Sequence, residues 1–234
     1  MAPRMARTRF VAAAAAAAAL SARFRGPQHD RYGDPQHRSI IVIDLAGFGT
    51  RTDLLQLRAR ADLDTVVHAA LRASGVPRSR LLFENRGDGM IIFLPATVSK
   101  AVLLQPFVPA LSTRLRVHNQ SVRADHRIRV RVAVHAGEVV HGPHGWIGTD
   151  LNLTCRLVDS AVLREELVRR PRADLTVAVS DVIHQAVVRH GHRGTDAFSY
   201  QEVRVAAKEV TTRAWIHTPG ENVRSLLRQH PVFA

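Results

Sequence analysis

Four consecutive β-branched residues, Ile40-Ile41-Val42-Ile43, end on an aspartate, Asp44. A run of this kind suits a strand covered on both faces, because neither side is left for water. The chain therefore needs packing layers above and below one sheet, and an α/β architecture satisfies that need. Asp44 stands where the strand leaves the core. Gly47 and Gly49 follow, and glycine there permits a tight loop and close approach of backbone to a ligand. A second carboxylate lies about forty residues on. Residues 81–94, Leu-Leu-Phe-Glu-Asn-Arg-Gly-Asp-Gly-Met-Ile-Ile-Phe-Leu, read as strand, tight turn, strand, with Asp88 in the turn. Two aspartates at the ends of adjacent strands can hold divalent metal, and metal can hold a triphosphate.

With 234 residues and 46% hydrophobic content, the chain is long enough for one packed domain with a tail. Cys155 is the single cysteine, which excludes an intrachain disulfide and fits a reducing, cytoplasmic compartment. No stretch has the length and apolarity of a membrane span. The formal charge of +13 comes almost entirely from arginine. The arginines are spread along the chain and aromatics are only 5%, so no basic stripe with interleaved aromatics forms a nucleic-acid surface. A DNA-binding basic protein remains a third reading behind the two developed below.

Residues 1–37 form a segment of their own. Arg4, Arg7 and Arg9 precede alanines 12–19 and then Leu20-Ser21-Ala22. This pattern fits a secretory signal, a low-complexity extension or a mis-called start. The extension is preferred, because polyalanine is weakly apolar. Residues 26–36 read as a linker. A domain over 38–218 and a tail over 219–234 follow. In that domain the pattern predicts a strand at 38–44, a helix at 54–74 with Leu63, Val67, Ala70 and Leu71 inward, and the Asp88 hairpin. A helix at 98–118 is next, kinked or divided by Pro106 and Pro109. Residues 127–135 alternate strictly, predicting a strand with one face wet or against another chain. A turn is expected at 136–138, and a helix around 151–158 capped by Thr149 or Asp150. Asn152 and Arg156, four apart, share one face of it, and Leu153 and Leu157 share another. Glu165-Glu166 reads as a solvated face. A helix at 180–189 and strands near 200–205 and 213–217 complete the chain. The order strand, helix, strand, strand, helix, strand is the ferredoxin-like βαββαβ plan.

These segments resemble the catalytic domain of class III nucleotidyl cyclases, over about residues 38–218. The motifs are Asp44-Leu45-Ala46-Gly47-Phe48, Gly87-Asp88 in a hairpin turn, His135-Ala136-Gly137-Glu138-Val139 after a strand, and Asn152 with Arg156 on a helix. Lys208, before the last strand, matches a late lysine of the family loosely.

The resemblance implies conversion of a nucleoside triphosphate to a 3′,5′-cyclic nucleotide and pyrophosphate. Asp44, Asp88 and the Leu45 carbonyl would hold two ions of Mg2+ or Mn2+ per site. Arg156 would meet charge on the α-phosphate and Asn152 would orient the ribose. Glu84 and Lys208 would contact the nucleotide. It also implies a homodimer with composite active sites, the metal aspartates facing Asn152 and Arg156 across the interface. Base choice departs from the family. Glu84, in the first base-reading position, leans toward guanine, but Gly145 in the second has no side chain, and Arg86 replaces an apolar residue. Short pyrimidine cyclases of bacterial anti-phage signalling also have altered base-reading positions, so cUMP or cCMP is an alternative product. The competing reading is a cyclase-homology domain without turnover that binds nucleotide or protein. His135, His141 and His144 lack a cysteine partner at zinc-ligand spacing.

Overall fold

The computed structural model describes residues 33–208 and 210–220. The expectations for residues 1–32 and 221–234 lie outside the described residues. In chain order the elements are β1 (Gln36–Leu45), α1 (Asp53–Ala73), β2 (Leu82–Arg86), β3 (Gly89–Pro95), α2 (Ala101–Leu104), α3 (Phe107–Ser121), β4 (Val130–Gly142), β5 (Gly145–Ile147), α4 (Thr149–Val158), α5 (Ala161–Arg169), β6 (Leu175–Ser180), α6 (Asp181–Ala186), β7 (Gln201–Ala207) and β8 (Val210–His217). The sheet order is β2-β3-β1-β4-β6-β8-β7, with β5 hairpinned onto β4. The first four positions are the ferredoxin-like arrangement that the segment order predicts. Among the described residues only β4 and β6 pair in parallel. That pairing needs a crossover, and α4 and α5 supply it.

β1 is central, antiparallel to β3 on one side and to β4 on the other. Its side chains alternate between two cores. Ile41, Ile43 and Leu45 pack with α1, α2 and α3, whereas Ile40 and Val42 pack with α4 and α5. Ile40, Ile41 and Ile43 are fully buried, each contributing about 1.5–3 kcal/mol of transfer free energy. α1 puts Leu63, Val67, Ala70 and Leu71 inward, as its spacing predicts.

The segment 98–118 is divided at Pro106 into two helices, α2 and α3, and Pro109 is accommodated in the first turn of α3, where a missing N–H costs nothing. Four local expectations are corrected. No turn interrupts residues 136–138, since β4 runs on to Gly142. Neither Thr149 nor Asp150 caps α4; Gly148 occupies the N-cap, and the Asp150 carboxylate instead accepts from the Glu138 N–H at 2.7 Å. Glu166 is buried rather than solvated, because it accepts from Arg170 Nε at 2.5 Å and from the Thr218 hydroxyl at 3.3 Å. The alternating strand has no wet face. Arg129, Arg131 and His135 point under α4 and α5, and each has a partner there. Arg129 donates to the carbonyls of Ala173, Leu167 and Arg170. His135 bridges Ser180 Oγ at 2.7 Å and Asp150 Oδ1 at 3.0 Å. A sequence pattern registers polarity, not whether a polar group has been satisfied indoors.

Among the described residues no helix is long and apolar enough to cross a membrane.

Gly89 faces Asp44 in the β1–β3 register, and a Cβ there would come within 2.3 Å of the Ile43 carbonyl oxygen. The Gly89→Ala variant should therefore lose about 2 kcal/mol or more by overpacking, read as a lower urea midpoint. An unchanged midpoint would contradict this close approach.

Candidate functional site

β1 delivers Asp44 at its penultimate position, 8% exposed, with its side chain on the α4 side of the sheet by strand parity. The β2–β3 hairpin delivers Asp88. Its two-residue turn is Gly87-Asp88, and Gly87 has φ 42, a conformation that glycine adopts at little cost. The Leu45 N–H donates to the Asp88 carbonyl at 3.0 Å, which ties the turn to the end of β1. Asp44 and Asp88 thus line one cavity of about 220 Å3, with Arg86, Cys155, Arg156 and Asp159.

Burial pushes the Asp44 carboxyl up to about 6; the Arg131 guanidinium pulls it down, and the Asp88 charge pushes it further up. Arg131, opposite Asp44 in the β1–β4 register, donates to Asp44 Oδ2. This partner was missed in the sequence, where Arg131 looked like one member of an alternating basic strand. The overlooked signal was that β1 carries a charge on the α4 side, which a neighbouring strand must answer.

α4 brings the remaining groups. Leu151, Thr154, Leu157 and Val158 are buried, Leu153 is half-buried, and Asn152 and Arg156 share the outer face. Arg156 is half-buried and reaches the Asp44 cavity, whereas Asn152, one turn earlier, is exposed and outside it. Burial pushes the Cys155 thiol up, so it stays a protonated, weakly nucleophilic group.

Glu84 lies on β2 and pairs with Arg86 at 3.3 Å. A Cβ on Gly145 would sit 3.6 Å from Glu84 Oε1, so the two base-reading positions of the sequence meet in space. Glu84 Oε2 is buried and has no hydrogen-bond partner among the described residues. Trp146, next in β5, lies tilted against Phe93 with ring centroids 4.9 Å apart and takes the Arg38 guanidinium over its ring at 5.5 Å. These contacts fold the β4–β5 arm over the sheet. Lys208 is exposed in the β7–β8 turn with φ 51 and does not line the cavity.

Two carboxylates on one cavity form an oxygen donor set; Leu45 does not line that cavity, and its backbone meets the site through its N–H bond to the Asp88 carbonyl. No group of three or more His, Cys, Asp and Glu side chains suited to a metal occurs among the described residues. Two carboxylates nevertheless fit Mg2+, which is held by one or two carboxylates together with substrate phosphates rather than by an all-protein cage.

No protein-family model matches the chain. The serine/threonine-protein kinase pkn2 of Myxococcus xanthus is 26% identical over 119 residues, 51% of this chain, and the chain spans 14% of that protein. Solved structures cover far more. An adenylate/guanylate cyclase/hydrolase from Silicibacter pomeroyi aligns with a TM-score of 0.58 at 16% identity, over 80% of this chain and 98% of its own. The guanylyl cyclase Cya2 gives 0.55 at 17% identity, over 82% and 98%. The adenylyl cyclase CyaB from P. aeruginosa gives 0.52 at 14% identity, over 82% and 98%. The fold is that of adenylyl and guanylyl cyclase catalytic domains.

Removing Arg131 leaves a buried carboxylate without its cation, so Arg131→Met should cost about 3–5 kcal/mol at pH 7.5. The folded Asp44 binds its proton more tightly than the unfolded chain does, so its contribution is fullest at low pH and falls as pH rises through about 6. The penalty should therefore shrink at pH 4.5, where Asp44 is protonated. Urea unfolding at the two pH values reads the difference; equal penalties would contradict the pairing.

Proposed function

We propose that this chain is a nucleotidyl cyclase that forms a 3′,5′-cyclic nucleotide and pyrophosphate from a nucleoside triphosphate. The observation that carries this reading is the convergence of Asp44 and Asp88 on a cavity that Arg156 also lines, within a cyclase catalytic fold. Asp44, Asp88 and the Leu45 carbonyl would hold Mg2+ or Mn2+. When bound, such ions lower the pKa of the attacking 3′-hydroxyl and neutralise phosphate charge. The protein's own contribution is placement. β1 and the hairpin fix the carboxylates, and α4 presents Arg156, whose guanidinium fork suits phosphate oxygen. A preorganised donor of this kind is worth about 3–4 kcal/mol in other enzymes.

Glu84 is the base-reading group of this proposal, with Oε2 available to accept from a base N–H. Gly145 supplies no side chain beside it, and Arg86 adds a guanidinium, a combination unlike an adenine pocket. Guanine and the pyrimidines are the bases it favours. Asn152 and Lys208 would act from a partner chain in a twofold homodimer, since both are exposed outside the acidic cavity. The size of that cavity supports a second chain. It falls below the roughly 300–1,000 Å3 common for small-molecule sites, so further walls are needed. Reducing, cytoplasmic surroundings suit the single thiol and supply the triphosphate.

One observation favours a second reading, a domain that binds nucleotide without turnover: Arg131 already occupies an Asp44 oxygen. Incubation with ATP, GTP, CTP or UTP plus Mn2+ separates the two, with pyrophosphate and cyclic product as readouts. Product from one triphosphate supports the cyclase. Nucleotide binding by a folded dimer without product supports the second reading.

Asp44→Asn should abolish turnover while the far-UV spectrum persists; full activity would remove the metal assignment. Mixed Asp88→Ala and Asn152→Ala chains should regain activity in one of the two sites of each heterodimer, whereas Asp88→Ala mixed with Arg156→Ala should stay inactive, because those two residues line one chain's cavity. Inactive Asp88/Asn152 mixed dimers would remove Asn152 from the partner chain's role.

A further inference from the structure

At the far end of β3 from the Asp88 turn lies a second cavity, of about 460 Å3. β3 spans seven residues, so this opening is displaced from the acidic cavity by about 20 Å of strand. It also lies beside the α1–α3 core, since Ala101 and Val187 of its wall belong there, whereas Asp44 points toward α4. The two sites therefore differ in both sheet end and sheet face.

The wall has two chemistries. Val98, Ala101 and Val187 give an apolar side. Ser99, Lys100, His192 and Arg193 give a polar side that includes no carboxylate. Arg58, Arg60, Arg131, Arg170 and Arg213, by contrast, are each ion-paired with an Asp or Glu. Lys100 and Arg193 have no ion pair among the described residues. Arg193 further holds φ 56 and ψ 28, a left-handed conformation that a non-glycine residue adopts at a cost of about 1–3 kcal/mol. Glycines stand at 191 and 194, so the chain bends tightly around Arg193, which lines the cavity.

The geometry points to a binding site for a small organic phosphate, with Lys100, Arg193 and the Ser99 hydroxyl taking the phosphate and the Val98–Val187 side taking the carbon body. A guanidinium residue and an ammonium residue lining one cavity without a carboxylate match a doubly charged oxyanion. The volume falls within the range of small-molecule sites and exceeds what a bare phosphate ion fills. The site does not depend on the cyclase reading, because it shares no residue with the acidic cavity.

The test is calorimetric titration of the full chain with ribose 5-phosphate, ribose and inorganic phosphate, with chelator present to keep divalent metal out of the Asp44 site. Ribose 5-phosphate should bind, inorganic phosphate more weakly, and ribose not at all. The Lys100→Gln/Arg193→Gly double variant should lose at least tenfold in affinity. Glycine keeps the left-handed backbone while deleting the cation, so this chain should fold at least as well, checked by its urea midpoint. Arg156→Ala should bind like the parent. No binding of ribose 5-phosphate, equal binding of ribose, or undiminished affinity in the double variant would overturn the assignment. Loss of affinity in Arg156→Ala would do so too, by moving the ligand to the other cavity.

Discussion

A charged side chain near the middle of a sheet is tolerable only when both flanking strands accommodate it. Asp44 meets that condition from two directions. On one flank Gly89 gives up its side chain, so the hairpin can close against the Ile43 carbonyl. On the other, Arg131 sets a guanidinium against the carboxylate. Register is thereby fixed on both sides of β1. A slip of one residue would turn Asp44 into the α1–α3 core and Ile43 out of it. The apolar pattern of β1 and the charge at its end thus enforce one alignment.

The same parity explains where the polar chemistry collects. Residues on the α4 side include Asp44, Arg131, His135 and, across β3, Glu84, whereas the other side is closed by α1, α2 and α3 with aliphatic side chains. Both faces carry a hydrophobic core, and the α4 side also carries the charged and titratable groups. Burial of His135 pushes its pKa down, so the ring bridging Ser180 and Asp150 stays neutral near pH 7 and joins β4, β6 and α4 without a net buried charge.

The ferredoxin-like order was legible because it is written in local signals. The β-branched run, the Gly-Asp hairpin and the spacing of Leu63, Val67 and Leu71 each reflect near neighbours in the chain. The meeting of Asp44 with Asp88 was legible for a similar reason: consecutive strands tend to lie close in space. Arg131 was not, because its partner is 87 residues away and only the β1–β4 register reveals it. Glu166 and the alternating strand misled for a shared cause. Composition counts a glutamate or an arginine as wet, and tertiary hydrogen bonds to Arg170, Thr218 and backbone carbonyls decide otherwise. The adjacency of Glu84 and Gly145 depends on how the β4–β5 arm folds back, which no pattern of periods encodes.

That arm has an optical consequence. The chain has two tryptophans. Trp215 is 5% exposed and lies flat on His184 at 3.9 Å, inside the rigid body of the sheet. Trp146 rides on the arm next to Gly145, between Phe93 and Arg38. One indole is thus a fixed reference and the other a built-in fluorophore beside Glu84, so emission from the unlabelled protein carries a signal from the neighbourhood of the acidic cavity.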